Sequence, residues 1–82
     1  MTDQEVLDKI TPIFRSVFQD ETLVATADLT ADKVERWDSL SHIDMIIMVE
    51  EAFGIRVPTP EVTRMKNVGD LIRVIEKQTS AQ

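Results

Sequence analysis

The chain of 82 residues contains no cysteine, which excludes a disulfide framework and a thiolate metal site. Only two glycines are present, Gly54 and Gly69, so no glycine-rich phosphate loop can be assembled. Runs of alternating β-branched and polar residues are missing, and with them any hairpin signal or internal repeat. The sole histidine is His42. No apolar stretch approaches the roughly 20 residues needed to span a bilayer. The start, Met1-Thr2-Asp3-Gln4-Glu5, lacks the basic opening and apolar run of a signal peptide. The expectation is a soluble, cytoplasmic, monomeric chain without membrane insertion, built as a single domain over 1–82. A core of this size leaves little room for an enclosed active-site cavity.

Basic residues are also outnumbered. The net charge is −6, and the excess lies in residues 1–58, where twelve acids face five bases. Such a surface repels nucleic acid and anionic membranes and attracts basic protein patches. A negative charge also simply keeps a small protein in solution.

Helical periodicity is what the chain does contain. A first helix is predicted from about Asp3 to Phe18. It opens on the capping-box pair Thr2 and Glu5 and carries Val6, Ile10, Ile13, Phe14 and Val17 at helical spacing. A long connection follows from Gln19 to Asp38, with Leu29 and Val34 as its anchors to the core. A second helix should start with Ser39 as N-cap and end at Gly54, which suits a left-handed C-cap. Thr59-Pro60 reads as N-cap and first residue of a short helix. The last helix begins near Asn67, with Asp70 three residues on, and its apolar stripe is Val68, Leu71, Ile72 and Ile75. The fold class is all-α, a small bundle of three main helices and one short one.

The second helix has two apolar faces. At roughly 100° per residue, Met45, Ile46, Val49, Ala52 and Phe53 share one side, the natural core face. Leu40, Ile43 and Ile47 fall on the other, accompanied by Asp44, Glu50 and Glu51. Two arrangements satisfy this pattern. Either the second stripe is exposed as a docking surface with an acidic rim, or the long loop folds over it.

At the entrance of this helix stands Trp37-Asp38-Ser39-Leu40. A serine there is ordinarily a cap. The stretch Asp38-Ser39-Leu40, followed by Ile43, Asp44, Ile47, Glu50, Glu51, Phe53, Gly54, Ile55, Val57 and Pro58, resembles the acyl carrier protein family. The later Val68-Gly69-Asp70-Leu71 is similar to the start of that family's last helix. The likeness extends over nearly the whole chain, in order and with matching spacing. It implies that Ser39 is esterified to 4′-phosphopantetheine by a phosphopantetheinyl transferase, with Asp38 assisting recognition by that enzyme. The thiol of the arm would then hold acyl groups, which explains how a chain without cysteine can carry thioesters. The resemblance also makes Leu40, Ile43, Asp44, Ile47, Glu50 and Glu51 the face read by acyl-activating, acyltransferase or condensing enzymes with basic docking patches. The pathway would be fatty acid, polyketide or related specialised biosynthesis.

Four positions depart from the family's pattern. Ser41 and Arg56 stand where acids are frequent, His42 adds a titratable ring, and Trp37 replaces a small residue. Together they point to a specialised carrier. A tryptophan at a helix entrance also packs readily on a core, and His42 falls near the core side of its helix. Met45, Met48 and Met65 suit either a lumen for an acyl chain or plain core filling. Two other readings remain. A peptidyl or aminoacyl carrier would have the same fold, although the Gly-Gly common in such relatives is replaced by Arg36-Trp37. An unmodified helical adaptor would use the acidic stripe alone. No catalytic residue is assigned: Ser39, His42 and Asp44 on one helix cannot converge as a triad. Metal binding is not expected either, since the ligand run of an EF-hand is absent.

Overall fold

A computed structural model describes residues 2–80. It is all-helical among the described residues, with α1 at Asp3–Val17, α2 at Ser39–Phe53, α3 at Thr59–Arg64 and α4 at Val68–Ser80. One turn of 3-10 helix at Ala31–Lys33 interrupts the long loop. The three main helices and the short fourth are those expected from the periodicity.

The start of α1 is closed by the anticipated capping box. Thr2 Oγ1 accepts from the Glu5 N–H at 3.2 Å, and Glu5 Oε1 accepts from the Thr2 N–H at 3.0 Å. The helix ends one residue before the expected boundary, with Phe18 as C-cap. Its apolar stripe, Val6, Ile10, Ile13 and Phe14, is buried and faces α2 and α4. Met45 and Val49 from α2 and Val68, Leu71 and Ile75 from α4 complete the fully buried centre. Each of these larger side chains contributes about 1.5–3 kcal/mol by leaving water.

The long loop is tied down along its length. Val34 and Ala25 are buried, and Leu29 packs on the core from a half-buried position. Arg15 Nε donates to Leu23 O at 2.7 Å, and the Ala25 N–H donates to Thr11 Oγ1 at 3.2 Å. At its centre the loop meets the start of α4: the Val68 N–H donates to Leu29 O at 2.9 Å and the Gly69 N–H to Ala27 O at 2.8 Å. Two orphan donors of α4 are thereby satisfied by loop carbonyls. Glycine at 69 eases this approach, since a Cβ there would sit 3.1 Å from Ala27 O, a tight contact.

Two helix starts differ from expectation. The N-cap of α3 is Pro58, so Thr59 and Pro60 lie inside the first turn and no side chain caps this helix. A proline ring fixes its own φ near −65°, which lets Pro58 lead in while Pro60 uses a position whose missing N–H is harmless. In α2 the cap is Asp38 rather than Ser39, with consequences described next. The end of α2 follows the sequence reading: Gly54 adopts φ 65° and ψ 40°.

Candidate functional site at the start of the second helix

Asp38 and Ser41 close the first turn of α2 reciprocally. Asp38 Oδ1 accepts from the Ser41 N–H at 2.9 Å, and Ser41 Oγ accepts from the Asp38 N–H at 2.8 Å. The Ser41 hydroxyl donates in turn to Arg36 O at 2.8 Å. A carboxylate accepts more strongly than a hydroxyl and has the reach to bond the amide three residues on, which is why Asp38 takes the cap that Ser39 was expected to provide. The Ser41 N–H, and after it the Ser41 hydroxyl, hold the Asp38 carboxyl below the usual carboxylate range.

Ser39 is consequently the first residue inside the helix. It is exposed, and its hydroxyl has no hydrogen-bond partner among the described residues. An ester on this oxygen would break no bond of the fold. A phosphodiester is also favoured at this end of a helix, where the dipole is positive and first-turn amides lack intrahelical partners. The carboxylate of Asp38, although adjacent, is already engaged by the Ser41 backbone N–H.

Behind Ser39 the outward stripe of α2 is open. Leu40 is 79% exposed, Ile43 48% and Ile47 47%, so the loop does not fold over it. Asp44 and Glu51 are exposed beside these side chains. Glu50 is different: its Oε2 accepts from the Val57 N–H at 2.8 Å and fastens the chain leaving α2. On the inward side Met45, Ile46 and Val49 are buried as expected and Phe53 is half-buried. Ala52 corrects the helical-wheel assignment, because it is exposed in the last turn of α2. Met48 is exposed too, whereas Met65 is half-buried.

Sequence reasoning missed the structural duties of Ser41 and Glu50. The first had a signal, since Asp38-x-x-Ser41 has the spacing of a capping box. The second depends on where the Gly54 turn brings Val57 and had none. Trp37 packs on the core as one reading held, and His42 bonds both Trp37 and α3.

A groove lies elsewhere, between α3 and α4. It encloses about 760 Å³ over Pro58, Met65 and Val74 with Arg64, Lys66 and Arg73 along its rim, and Ser39 is not part of it. Ser39 stands exposed at the start of α2, outside that groove. Among the described residues no helix is long and apolar enough to cross a membrane.

No protein-family model matches the chain. It is 32% identical over 81 residues to an acyl carrier protein of Akkermansia muciniphila, covering 94% of this chain and 96% of that one. An acyl carrier protein of Acidothermus cellulolyticus is 43% identical over 42 residues, about half of each chain. Among solved structures, the solution structure of holo acyl carrier protein from Geobacter metallireducens superposes with a TM-score of 0.85 at 39% identity, over 93% of this chain and 87% of that one. Fold and site define a small helical carrier, not an enzyme. The chain belongs to the acyl carrier protein family.

Proposed function

We propose that this chain carries acyl groups on a 4′-phosphopantetheine arm attached to Ser39. The observation that carries the reading is the Ser39 hydroxyl, exposed and unbonded among the described residues in a turn that Asp38 and Ser41 already cap. The holo state of the Geobacter relative supports it. A phosphopantetheinyl transferase would take the Ser39 Oγ proton as that oxygen attacks the pantetheine-side phosphorus of coenzyme A; the pyrophosphate bond would break and adenosine 3′,5′-bisphosphate would leave. Asp38 holds the backbone of this turn and offers the transferase an ionised carboxylate. When bound, the group supplies a terminal thiol for acyl cargo.

The residues of α2 do the rest. Leu40, Ile43 and Ile47 give partner enzymes an apolar strip, and Asp44 and Glu51 steer basic patches towards it. Acyl-activating, acyltransferase or condensing enzymes of fatty acid, polyketide or a related specialised pathway are the partners that fit. The chain acts as a cytoplasmic monomer, one domain over its length.

The test is co-expression with a phosphopantetheinyl transferase and intact-mass measurement. A single mass increment localised to Ser39 is expected. An unchanged mass in the presence of an active transferase rejects the carrier reading and leaves an unmodified adaptor.

A further inference from the structure

Trp37 ends the long loop one residue before Asp38, and its ring is the centre of an aromatic stack. The indole lies 5.0 Å from Phe18 at 26° and 5.5 Å from Phe14 at 71°. The His42 ring lies 6.0 Å away at 19°, at the N–H edge of the indole. The indole Nε1–H donates to His42 Nδ1 at 3.0 Å, and His42 Nε2 lies 3.2 Å from Val62 O in α3.

These two contacts fix the protonation state of the ring. An indole N–H can only donate, and a carbonyl can only accept. Nδ1 must therefore hold a lone pair and Nε2 must carry the hydrogen, which describes one neutral tautomer. A proton from solvent on Nδ1 would set two donors against each other and break the Trp37 bond. The charged residues nearest in sequence to Trp37, His42 and Val62 are Glu35, Arg36 and Asp38 in the loop, Asp44 in α2, and Glu61 and Arg64 in α3. Arg15 stands on α1 beside the phenylalanines. None of these makes a hydrogen bond or ion pair with the ring among the described residues.

We propose that the Trp37–His42–Val62 bridge is a positioning latch for Ser39, closed while His42 is neutral and released when it is protonated. The latch ties three segments together: the loop end that precedes Ser39, the first turns of α2 and the short helix α3. Closed, it holds Asp38 and Ser39 in a single orientation against α3. Open, the loop end and α3 move independently, and the serine is presented less often in the geometry its modifying enzyme requires. His42 and Trp37 are positioning residues, since neither touches the reacting oxygen. This inference rests on Ser39 being the modified residue.

The latch can be read by fluorescence, because Trp37 is the sole tryptophan and the chain has no tyrosine. Wild type, His42→Gln and His42→Phe are compared at about pH 8 and about pH 5.5. Glutamine keeps a donor and an acceptor but does not titrate. Emission of Trp37 should step with pH in the wild type and stay flat in His42→Gln. With a phosphopantetheinyl transferase and coenzyme A, the wild-type KM divided by that of His42→Gln should rise roughly fivefold on acidification, the effect of one lost neutral hydrogen bond. The enzyme's own pH dependence cancels in this ratio, and the kcat ratio should not change. His42→Phe should show a raised KM at both pH values. A KM ratio equal at both pH values, or an emission step that persists in His42→Gln, overturns the proposal. If the wild type is never modified, the Ser39 assignment falls instead. The emission step then decides the latch alone: confined to the wild type it upholds the latch, and absent it refutes it.

Discussion

Asp38 and Ser41 exchange two hydrogen bonds across the first turn of α2, and Ser39 lies between them without a part in either. The usual double duty of a helix-start serine is thus divided. The capping bonds fall to the neighbours, and the hydroxyl of Ser39 takes no part in them.

Ser39→Ala should therefore abolish phosphopantetheine attachment while changing stability by less than about 0.5 kcal/mol, as for surface substitutions that remove no contact. Intact mass and a urea titration read the two effects. A mass increment in this variant would refute the site.

Asp38→Ala should cost about 1 kcal/mol, the worth of a good N-cap. Ser41→Ala should cost a comparable amount, because it strips the Asp38 N–H and Arg36 O of their shared partner. Denaturant midpoints measure both. A Ser41→Glu variant, which restores a longer acceptor at the same capping position, should recover part of the loss.

Asp44→Lys and Glu51→Lys should each weaken partner binding severalfold at low salt, with the difference shrinking as salt rises. Glu50→Gln should leave that salt dependence intact and instead lower stability, since its carboxylate serves the Val57 amide. Affinity measured across a salt series separates the two classes. Equal salt slopes for all three variants would return Glu50 to the docking face.

Gly69→Ala should destabilise the chain by about 1–3 kcal/mol, the range for forcing an extra methyl group into a packed site. The added carbon would press on Ala27 O and Asn67 Oδ1, both at 3.1 Å. Faster exchange of the Val68 and Gly69 amides is the specific readout.

Acid should destabilise the fold in a definite window. Hydrogen bonds hold Glu5, Asp20, Asp32, Asp38 and Asp70 below their ordinary values. A carboxylate lowered in the folded state favours folding fully above the unfolded value, about 4, and loses that advantage as pH falls through its lowered value. Glu76, raised by its hydrogen bond with Asp3, acts in the opposite sense. The denaturation midpoint should accordingly fall below about pH 4. A midpoint constant down to about pH 2 would contradict this.

Helix positions and the buried stripes were legible in the sequence because they follow from period and capping, which are local. Val6, Ile10 and Phe14 on α1 and Leu71 and Ile75 on α4 are cases in point. The exposure of Leu40, Ile43 and Ile47 was not decidable from α2 alone, since it depends on the course of a loop whose anchors bond α1 and α4 instead. The cap of α2 was misread because Ser39 and Asp38 are both good caps; the stronger carboxylate acceptor of Asp38 and the reciprocal bond from its N–H to Ser41 Oγ select between them. The bond from Glu50 to Val57 and that from His42 to Val62 join residues whose distance depends on the turn at Gly54 and the placing of α3.

The clasp between the loop and α4 has a consequence for how the chain comes apart. Leu29 and Ala27 supply acceptors to Val68 and Gly69 across some forty residues of sequence, so the loop cannot detach without unravelling the start of the last helix. Loop and α4 should open as one cooperative unit with α1, near the global unfolding free energy. The short α3 has no side-chain cap and no fully buried residue, and it should open on its own at far lower cost. Rigidity in this chain is thus distributed unevenly, with a firm frame of three helices and loop on one side and, on the other, a short helix held through His42 and the partly buried Val62.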